Sequence, residues 1–332
     1  MNSKKIFFML KKFYYDIFSQ DSPYKIADDL HSSKLGYYYF LFEEDPTKLN
    51  RLISGFDENG IPINKAYIDV ANPKPHYYPI SIGQYGLAVF NSFIATNDEN
   101  KKNHFLRIAD WFIKNKIEDD VFGVYWLTDI PKPEYKIDKP WKSAFTQSRA
   151  ISILLRAWQI TNDDKYFSTA AESLKIFEID ISKNGVSNIF EFGKFYEEYP
   201  ASQPTMVLDG HIFSLLGLYD FVRAADKSSN YYLQAESLFN AGINALIYLL
   251  PDYDMKYWVK FNLCKMDHYP KIDPCTIGYL RLISLQLHLL YRITDNELFE
   301  QYSKKFISYI TPINIFRMML IKYSALKKLN RL

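Results

Sequence analysis

The segment Tyr196–Gly210, YEEYPASQPTMVLDG, holds the chain's most informative group of side chains that can exchange protons. Two adjacent carboxylates, Glu197 and Glu198, stand between tyrosines, and Pro200 follows Tyr199. Carboxyl groups and phenols can serve as general acids and bases. A helix predicted from Thr205 would hold this loop in place. Neither this segment nor the two that follow resembles a serine elbow, a phosphate loop or a zinc signature.

Two later segments carry further candidates. Tyr253–Phe261 (YDMKYWVKF) includes Tyr257 and Lys260, and Gly278–Gln286 (GYLRLISLQ) includes Tyr279 and Arg281. In a chain with 27 Tyr and 25 Phe, an arbitrary tyrosine is packing material far more often than a functional group. Position relative to the surrounding elements therefore decides which of these side chains matter.

Apolar residues spaced by three and four positions from Ile80 onward predict a mainly α-helical chain. The predicted helices are Ile80–Thr96, Glu99–Lys116, Lys142–Ile160, Asp163–Ile179, Thr205–Asp226, Tyr231–Leu249, Pro274–Ile293, Glu297–Ile310 and Asn314–Lys327. Tight turns rich in Thr, Asn and Asp join them in pairs, which favours an α/α barrel (toroid) of paired helices. The longer connections Glu118–Trp141, Asp180–Pro204 and Pro251–Asp273 are expected at the other end of the ring, where function would lie.

The first 75 residues have a different pattern. Met1–Gln20 predicts a helix, and Leu35–Glu44 and Tyr67–Val70 predict strands on either side of the turn-rich Asp57–Pro62. We therefore expect an N-terminal helix and a small β appendage over residues 1–75 and a catalytic α/α-barrel domain over residues 76–332.

Bulk composition excludes several classes of protein. The formal net charge is +2 and no basic stripe is present, which argues against nucleic-acid binding. Two cysteines, Cys264 and Cys275, have no metal-type spacing. No segment approaches the length of a membrane span, and the apolar run Ile6–Leu10 is short for a signal peptide. We expect a cytoplasmic protein whose first helix can lie on an anionic membrane surface.

Four blocks of sequence resemble the C-terminal catalytic part of D-glucuronyl C5-epimerases, in its compact prokaryotic form. They follow the family's order and span most of the chain from about residue 75 to 310. The blocks are Tyr77–Leu87 (YYPISIGQYGL), Ala144–Trp158 (AFTQSRAISILLRAW), Tyr196–Asp220 and Tyr279–Tyr309.

The resemblance implies a reaction at a carbon next to a carboxylate, in which a base removes the C5 proton of a uronate and an acid returns one to the opposite face. It places Tyr199 and Tyr279 as the opposed acid–base pair. Glu198 and Tyr257 would orient the sugar or tune those tyrosines. Residues that the resemblance places at the substrate are Tyr78, Gln84, Tyr85, Gln147, Arg149, Asp209, Lys260 and Arg281.

Two departures from the family pattern bear on the substrate. Lys260 stands where the family has arginine, and it keeps the charge but loses bidentate recognition of a carboxylate. Leu280 stands where the family commonly has histidine, and Arg281 is a candidate for compensation. These changes argue against heparan-type substrates and favour a bacterial uronate-containing polysaccharide or oligosaccharide.

Three alternatives remain open from the sequence. A polysaccharide lyase would share the C5 proton abstraction but form an unsaturated product. A glycoside hydrolase would need two carboxyl groups among Glu197, Glu198 and Asp209. A non-catalytic glycan-binding descendant would keep affinity without turnover. For the favoured reaction we expect no cofactor, because proton exchange at C5 needs no hydride transfer. We also expect no obligatory metal, because this sequence does not show the elements through which some members of the family hold calcium. The resemblance makes a homodimer possible.

Overall fold

The computed structural model describes residues 24–45, 53–65 and 74–331, together with the single positions 7, 11, 14, 17 and 70. This part of the chain is mainly helical, as expected. Its α-helices are α1 Pro79–Thr96, α2 Glu99–Lys114, α3 Ala144–Thr161, α4 Asp164–Glu172, α5 Leu208–Ala224, α6 Asn230–Tyr253, α7 Ile277–Thr294, α8 Glu297–Ser308 and α9 Pro312–Lys328. None of these helices is long and apolar enough to cross a membrane.

Three short antiparallel hairpins accompany the helices. Their strands are β1 Ile53–Phe56, β2 Pro62–Asn64, β3 Ile117–Asp119, β4 Gly123–Tyr125, β5 Ser187–Phe190 and β6 Gly193–Tyr196. The β1–β2 hairpin encloses the predicted turn, where Asp57 accepts hydrogen bonds from the backbone of Asn59 and Ile61. The other two hairpins lie inside connections that the sequence indicated only as long loops.

The tight turns between paired helices are confirmed, and all three have the same local structure. A left-handed residue ends the first helix, with φ of 54°, 56° and 54° at Asn97, Asn162 and Asp295. The next residue caps the following helix, because its side chain accepts a hydrogen bond from a backbone N–H of the first turn. These capping residues are Asp98, Asp163 and Asn296.

Helix pairs pack in a regular order. The helices α1, α3, α5 and α7 contact one another in sequence, and the helices α2, α4, α6 and α8 each pack on the helix that precedes them. Successive contacts occur in the same order along α1 and α3 and along α3 and α5, so these three helices run in the same direction. Their N-terminal ends therefore meet at the end of the molecule that also carries the long connections.

Close backbone contact and a buried ion pair hold α3 against α5. A Cβ at Gly217 would come within 2.4 Å of the Ser148 hydroxyl oxygen, so only glycine permits this approach. The same hydroxyl donates to the carbonyl oxygen of Phe213 at 2.6 Å and accepts from the Gly217 amide at 2.9 Å. About two turns further along α3 and one turn further along α5, the fully buried Arg156 and Asp220 form an ion pair at 2.7 Å.

The prediction of a strand over Leu35–Glu44 is wrong. This stretch makes only an isolated bridge between Ile26 and Phe40. The aromatic side chains that suggested a strand are instead buried against the helices, where Tyr38 and Phe40 contact Arg149 and Phe213. The backbone just before this segment is bound by Arg223 of α5 and Arg292 of α7, which donate to the carbonyl oxygens of Ser32 and Ala27. The predicted helix Met1–Gln20 and strand Tyr67–Val70 lie largely outside the described residues.

Several helix boundaries differ from the prediction because nearby groups bind the backbone. The helix predicted from Thr205 begins at Leu208, since Val207 pairs with Asn262 in an antiparallel bridge. The helix predicted from Pro274 begins at Ile277, since Pro274 pairs with Lys260. The helix predicted to reach Ile179 ends at Glu172 and is followed by a 3-10 turn over Lys175–Glu178.

Candidate functional site

The loop between β6 and α5 is held in place by the buried carboxyl group of Glu197. It accepts hydrogen bonds from the Thr205 hydroxyl at 2.5 Å and from the backbone N–H of Met206 at 3.0 Å, and the Asn188 amide also donates to it. Burial raises the pKa of Glu197 to about 7, although these hydrogen bonds oppose the shift. Because these contacts join Glu197 to its own loop and to β5, Glu197 supports the site rather than reacting in it.

Glu198 and Tyr199 form a phenol–carboxyl pair next to this support. The Tyr199 side chain lies close enough to the Glu198 carboxyl group to favour its charged form. Burial raises the pKa of Glu198 to about 7, against the opposing effects of Tyr199 and of the positive charge on Lys132. A carboxyl group that titrates near neutrality can accept and return a proton under physiological conditions.

Lys132 brings a positive charge to this pair. Its ammonium nitrogen lies 4.6 Å from the centroid of the Tyr199 ring. It also lies 3.0 Å from Glu134, which Arg331 contacts at 3.3 Å from the other side. Burial disfavours the charged form of Glu134, but the two cations outweigh it and lower its pKa to about 2. The result is a buried cation fixed against the face of a tyrosine.

The ring of Tyr199 packs against other aromatic rings. Its ring stacks on Tyr135 with centroids 5.3 Å apart, and Tyr135 stacks in turn on Tyr269 at 5.4 Å. Trp141 lies at 5.3 Å from Tyr199 with its ring tilted. Asn262 donates to both Tyr135 and Tyr269 and so fixes the stack. Tyr199 is 7% exposed, which leaves a narrow approach to its ring.

Asp209 adds a second carboxyl group at the start of α5. Burial and the neighbouring charge of Glu198 raise the pKa of Asp209 well above its usual value. Glu198 lies against the same turn, since a Cβ on Gly210 would meet its carboxyl oxygen at 2.6 Å. One oxygen of Asp209 is buried without a hydrogen-bond partner among the described residues. The two carboxyl groups therefore favour a state in which at least one of them is protonated.

Helix α7 reaches this site through Gln286, whose amide donates to the Asp209 carbonyl oxygen at 3.1 Å. Tyr279 lies seven residues earlier and thus on the same face of the helix, about 10 Å toward its N-terminal end. Its ring packs edge-on against Phe261 at 5.3 Å. Leu280, which stands where the family commonly has histidine, is fully buried in the core.

The other three candidates from the later segments are Tyr257 and Lys260, on the connection between α6 and α7, and Arg281, on α7. The ring of Tyr257 faces the guanidinium group of Arg317 in α9 at 5.8 Å. Lys260 donates to the Asp252 carbonyl oxygen at 2.7 Å. Arg281 is partly exposed in the first turns of α7.

Three further candidates lie at the N-cap of α1 or in its first two turns. Tyr78 is the N-cap residue of α1 and is buried, and Gln84 is half-buried within the helix. Tyr85 packs between Phe56 of β1 and His104 of α2, with ring centroids 5.0 and 5.7 Å away. Burial, and then the charge of Glu44, raise the pKa of Tyr85 to about 12. These contacts give Tyr85 a packing environment.

Gln147 and Arg149, on α3, are both fully buried. Gln147 donates to the Val124 carbonyl oxygen at 2.9 Å and accepts from the Trp126 amide at 3.3 Å, so it fastens the β3–β4 hairpin to α3. Arg149 lies among aromatic rings and donates to the Tyr38 hydroxyl at 2.6 Å. These contacts are internal to the protein.

Three residues of the candidate site could not be identified from the sequence: Lys132, Tyr135 and Trp141. All three come from a connection that the sequence indicated as a long functional loop rich in proline and aromatic residues. The repeated Lys–Pro pairs in IPKPEYKIDKPW are the one signal in that loop. Among the described residues, no three His, Cys, Asp or Glu side chains converge where they could hold a metal ion.

A phenol, a carboxyl group of raised pKa and a fixed cation at the loop end of a helical array define a site suited to proton transfer. Residues 119–308 match the family described as D-glucuronyl C5-epimerase C-terminus. The match covers more than half of the 332 residues, and the chain belongs to this family.

Two relatives show how far the similarity extends. A D-glucuronyl C5-epimerase of Caenorhabditis elegans is 34% identical over 182 residues, which are 53% of this chain and 30% of the relative. The uncharacterized protein MJ1128 of Methanocaldococcus jannaschii is 26% identical over 192 residues, which are 57% of this chain and 58% of the relative. The aligned part thus spans less than two thirds of either relative.

Proposed function

We propose that this chain is a uronyl C5-epimerase that inverts a glucuronate-type residue within a glycan. The observation that carries the proposal is the Lys132 ammonium group 4.6 Å from the ring of Tyr199, which stands beside the buried carboxyl group of Glu198. The family membership supports the reaction class, and the relative from Caenorhabditis elegans carries the name of that activity.

In the proposed reaction, Glu198 accepts the phenol proton of Tyr199, and the resulting phenolate removes the proton from C5 of the sugar. The electrons of the broken C–H bond move into the adjacent carboxylate and form an enolate. Fixed positive charge stabilises such a developing anion most when water is excluded. Lys132, whose side chain is 7% exposed, is the cation closest to Tyr199 among the contacts described above.

A second acid then returns a proton to the opposite face of C5. We assign this role to Tyr279, on the face of α7 that Gln286 connects to Asp209. Tyr257 would orient the sugar from the neighbouring connection. After turnover, solvent restores the proton on Tyr279, and Glu198 releases the proton that it accepted. The uronate substrate is an acidic polysaccharide or oligosaccharide residue, for which Lys260 and Arg281 are candidate contacts.

The packing order of the helices supports an α/α toroid as the scaffold. In the proposed arrangement, α1, α3, α5 and α7 line the interior and their N-terminal ends carry the site. This is the end at which the residues of the long connections, including Tyr135, Tyr199 and Tyr257, would surround a sugar chain.

The test is incubation with glucuronate-containing glycans in heavy water, followed by NMR and ultraviolet absorbance. Deuterium at C5 in a saturated product is the expected result. An unsaturated product would show a lyase instead. Glycan binding without exchange would show a protein that only recognises the sugar, and absence of both exchange and binding across the panel would contradict the proposal.

A further inference from the structure

The last helix, α9, has an apolar face that the described part of the chain does not cover. Four large side chains at spacings of three, four and three residues are 68, 63, 58 and 51% exposed. We call them the apolar stripe: Ile313, Phe316, Leu320 and Tyr323. Single exposed apolar residues are normal on a protein surface, but four on one helix face form a continuous patch.

The opposite face of α9 fastens the helix to the end of the molecule that holds the candidate site. Lys322 forms an ion pair with Asp273 at 2.6 Å, and Lys328 donates to the Tyr269 carbonyl oxygen at 2.7 Å. Beyond the helix, Arg331 contacts Glu134, the partner of Lys132. The apolar stripe therefore belongs to a helix that packs on the loops around Tyr199.

The charge on α9 has one sign. Residues 312–328 contain Arg317, Lys322, Lys327 and Lys328 and no Asp or Glu. Arg317 and Lys327 are exposed and lie on or beside the apolar stripe, and Arg317 also faces the ring of Tyr257. A helix that combines an exposed apolar face with basic residues is typical of proteins that lie in the headgroup region of an anionic membrane.

We infer that the apolar stripe of α9, with Arg317 and Lys327, is a docking surface for an anionic lipid bilayer. A second copy of the chain is a poorer occupant. In a twofold interface the same patch faces itself, so Arg317 and Lys327 of both copies would be brought together with no acidic residue on α9 to compensate. Anionic headgroups supply the missing charge, and the acyl boundary accepts Phe316 and Leu320.

Docking in this way would hold the loop end of the molecule at the membrane surface. One consequence rests on the proposed function, namely that the uronate substrate is a glycan attached to a membrane lipid. The docking surface itself does not rest on it, because lipid binding can be measured without any sugar.

The test is cosedimentation of the full chain with vesicles of phosphatidylcholine, with and without phosphatidylglycerol. We expect binding to the anionic vesicles that weakens as salt shortens the Debye length. The double variant Phe316→Ser/Leu320→Ser should reduce the partition coefficient at least about tenfold, given the apolar surface that it removes from the bilayer. Lys327→Glu, which reverses one charge, should also reduce it severalfold.

Leu233→Ser is the matched control, since Leu233 is a 54% exposed apolar residue on α6. It should leave vesicle binding unchanged, and thermal melting of every variant would confirm that each is folded. Equal binding of the double variant and the unaltered chain would overturn the inference. So would a dimer that the double variant disrupts in a protein that binds no vesicles.

The two proposals fail separately. A chain that binds anionic vesicles but exchanges no C5 deuterium keeps the docking surface and loses the proposed function. A chain that exchanges C5 deuterium but does not bind vesicles keeps the proposed function and loses the docking surface.

Discussion

The Lys132 ammonium nitrogen lies 4.6 Å from the ring centroid of Tyr199, and the same nitrogen lies 3.0 Å from the carboxylate of Glu134. The cation is thus oriented by one anion while its field acts on a neighbouring phenol. Glu134 keeps its charge because Arg331 also contacts it. This arrangement places a cation, already partly removed from water, where negative charge would develop in the proposed reaction.

Removal of the Tyr199 hydroxyl tests its proposed role most directly. Tyr199→Phe keeps the ring that stacks on Tyr135 and packs against Trp141. We expect C5 deuterium exchange to fall at least about a hundredfold, the usual scale for loss of an acid or base, with little change in melting temperature. Tyr248→Phe, at a 63% exposed residue, is the control and should retain full activity. Near-normal exchange in Tyr199→Phe would remove Tyr199 from the mechanism.

Lys132→Met tests whether the cation contributes to the reaction as well as to the fold. Loss of a preorganised charge should lower kcat by about 10²–10³-fold if Lys132 stabilises the enolate. The variant should also lower stability, because Glu134 would remain buried with only Arg331 as its cationic partner.

The two effects of Lys132→Met are separated by measuring exchange kinetics well below the melting temperature of the variant. Lys132→Arg restores the charge and should recover part of the rate. A loss of stability with an unchanged kcat would show that Lys132 only supports the loop.

The ion pair between Arg156 and Asp220 tests the scaffold apart from the site. Both side chains are fully buried, and Arg156 also donates to the Ser152 carbonyl oxygen at 3.0 Å. Arg156→Met should reduce the free energy of unfolding by about 3–5 kcal/mol, because it leaves the buried Asp220 carboxylate with only the longer contact to Arg223 at 3.8 Å. Chemical denaturation measures this, and an effect below about 1 kcal/mol would contradict the structural role.

Helix identity and the tight turns could be predicted from the sequence because their rules are local. A residue that tolerates positive φ followed by a side chain that caps the next helix is sufficient, as at Asn97 and Asp98. The strand predicted over Leu35–Glu44 failed for the opposite reason. Its aromatic residues are buried by distant helices, and burial of that kind leaves the same sequence pattern as a sheet.

Only part of the candidate site could be predicted from the sequence. Tyr199 and Glu198 stand in one recognisable motif, whereas Lys132 reaches them from a connection far away in the sequence. Conversely, the sequence does not show whether Gln147 and Tyr85 bind a sugar or a neighbouring part of the protein. Their observed partners, the Val124 carbonyl oxygen for Gln147 and the Phe56 ring for Tyr85, follow from tertiary packing.

The dependence of stability on pH follows from the carboxyl groups beside Tyr199. Burial raises the pKa of Glu197 and of Glu198 to about 7, and burial together with the charge of Glu198 raises the pKa of Asp209. A carboxyl group with a raised pKa binds a proton more tightly in the folded state than in the unfolded state. The free energy of unfolding should therefore fall as pH rises from about 4.5 to about 7, the range in which Glu197 and Glu198 contribute.

Glu198→Gln isolates the contribution of one of these groups. The amide is never charged, so the variant should be more stable than the unaltered chain at pH 8, and the fall in stability between pH 4.5 and 7 should be smaller. Deuterium exchange should nevertheless drop, because glutamine cannot accept the proton of Tyr199. Thermal melts across this pH range together with exchange rates at pH 7 measure both effects. If Glu198→Gln left the pH dependence of the melts unchanged, Glu198 would be ionised alike in the folded and unfolded chains, and its proposed role as proton acceptor would lose its electrostatic basis.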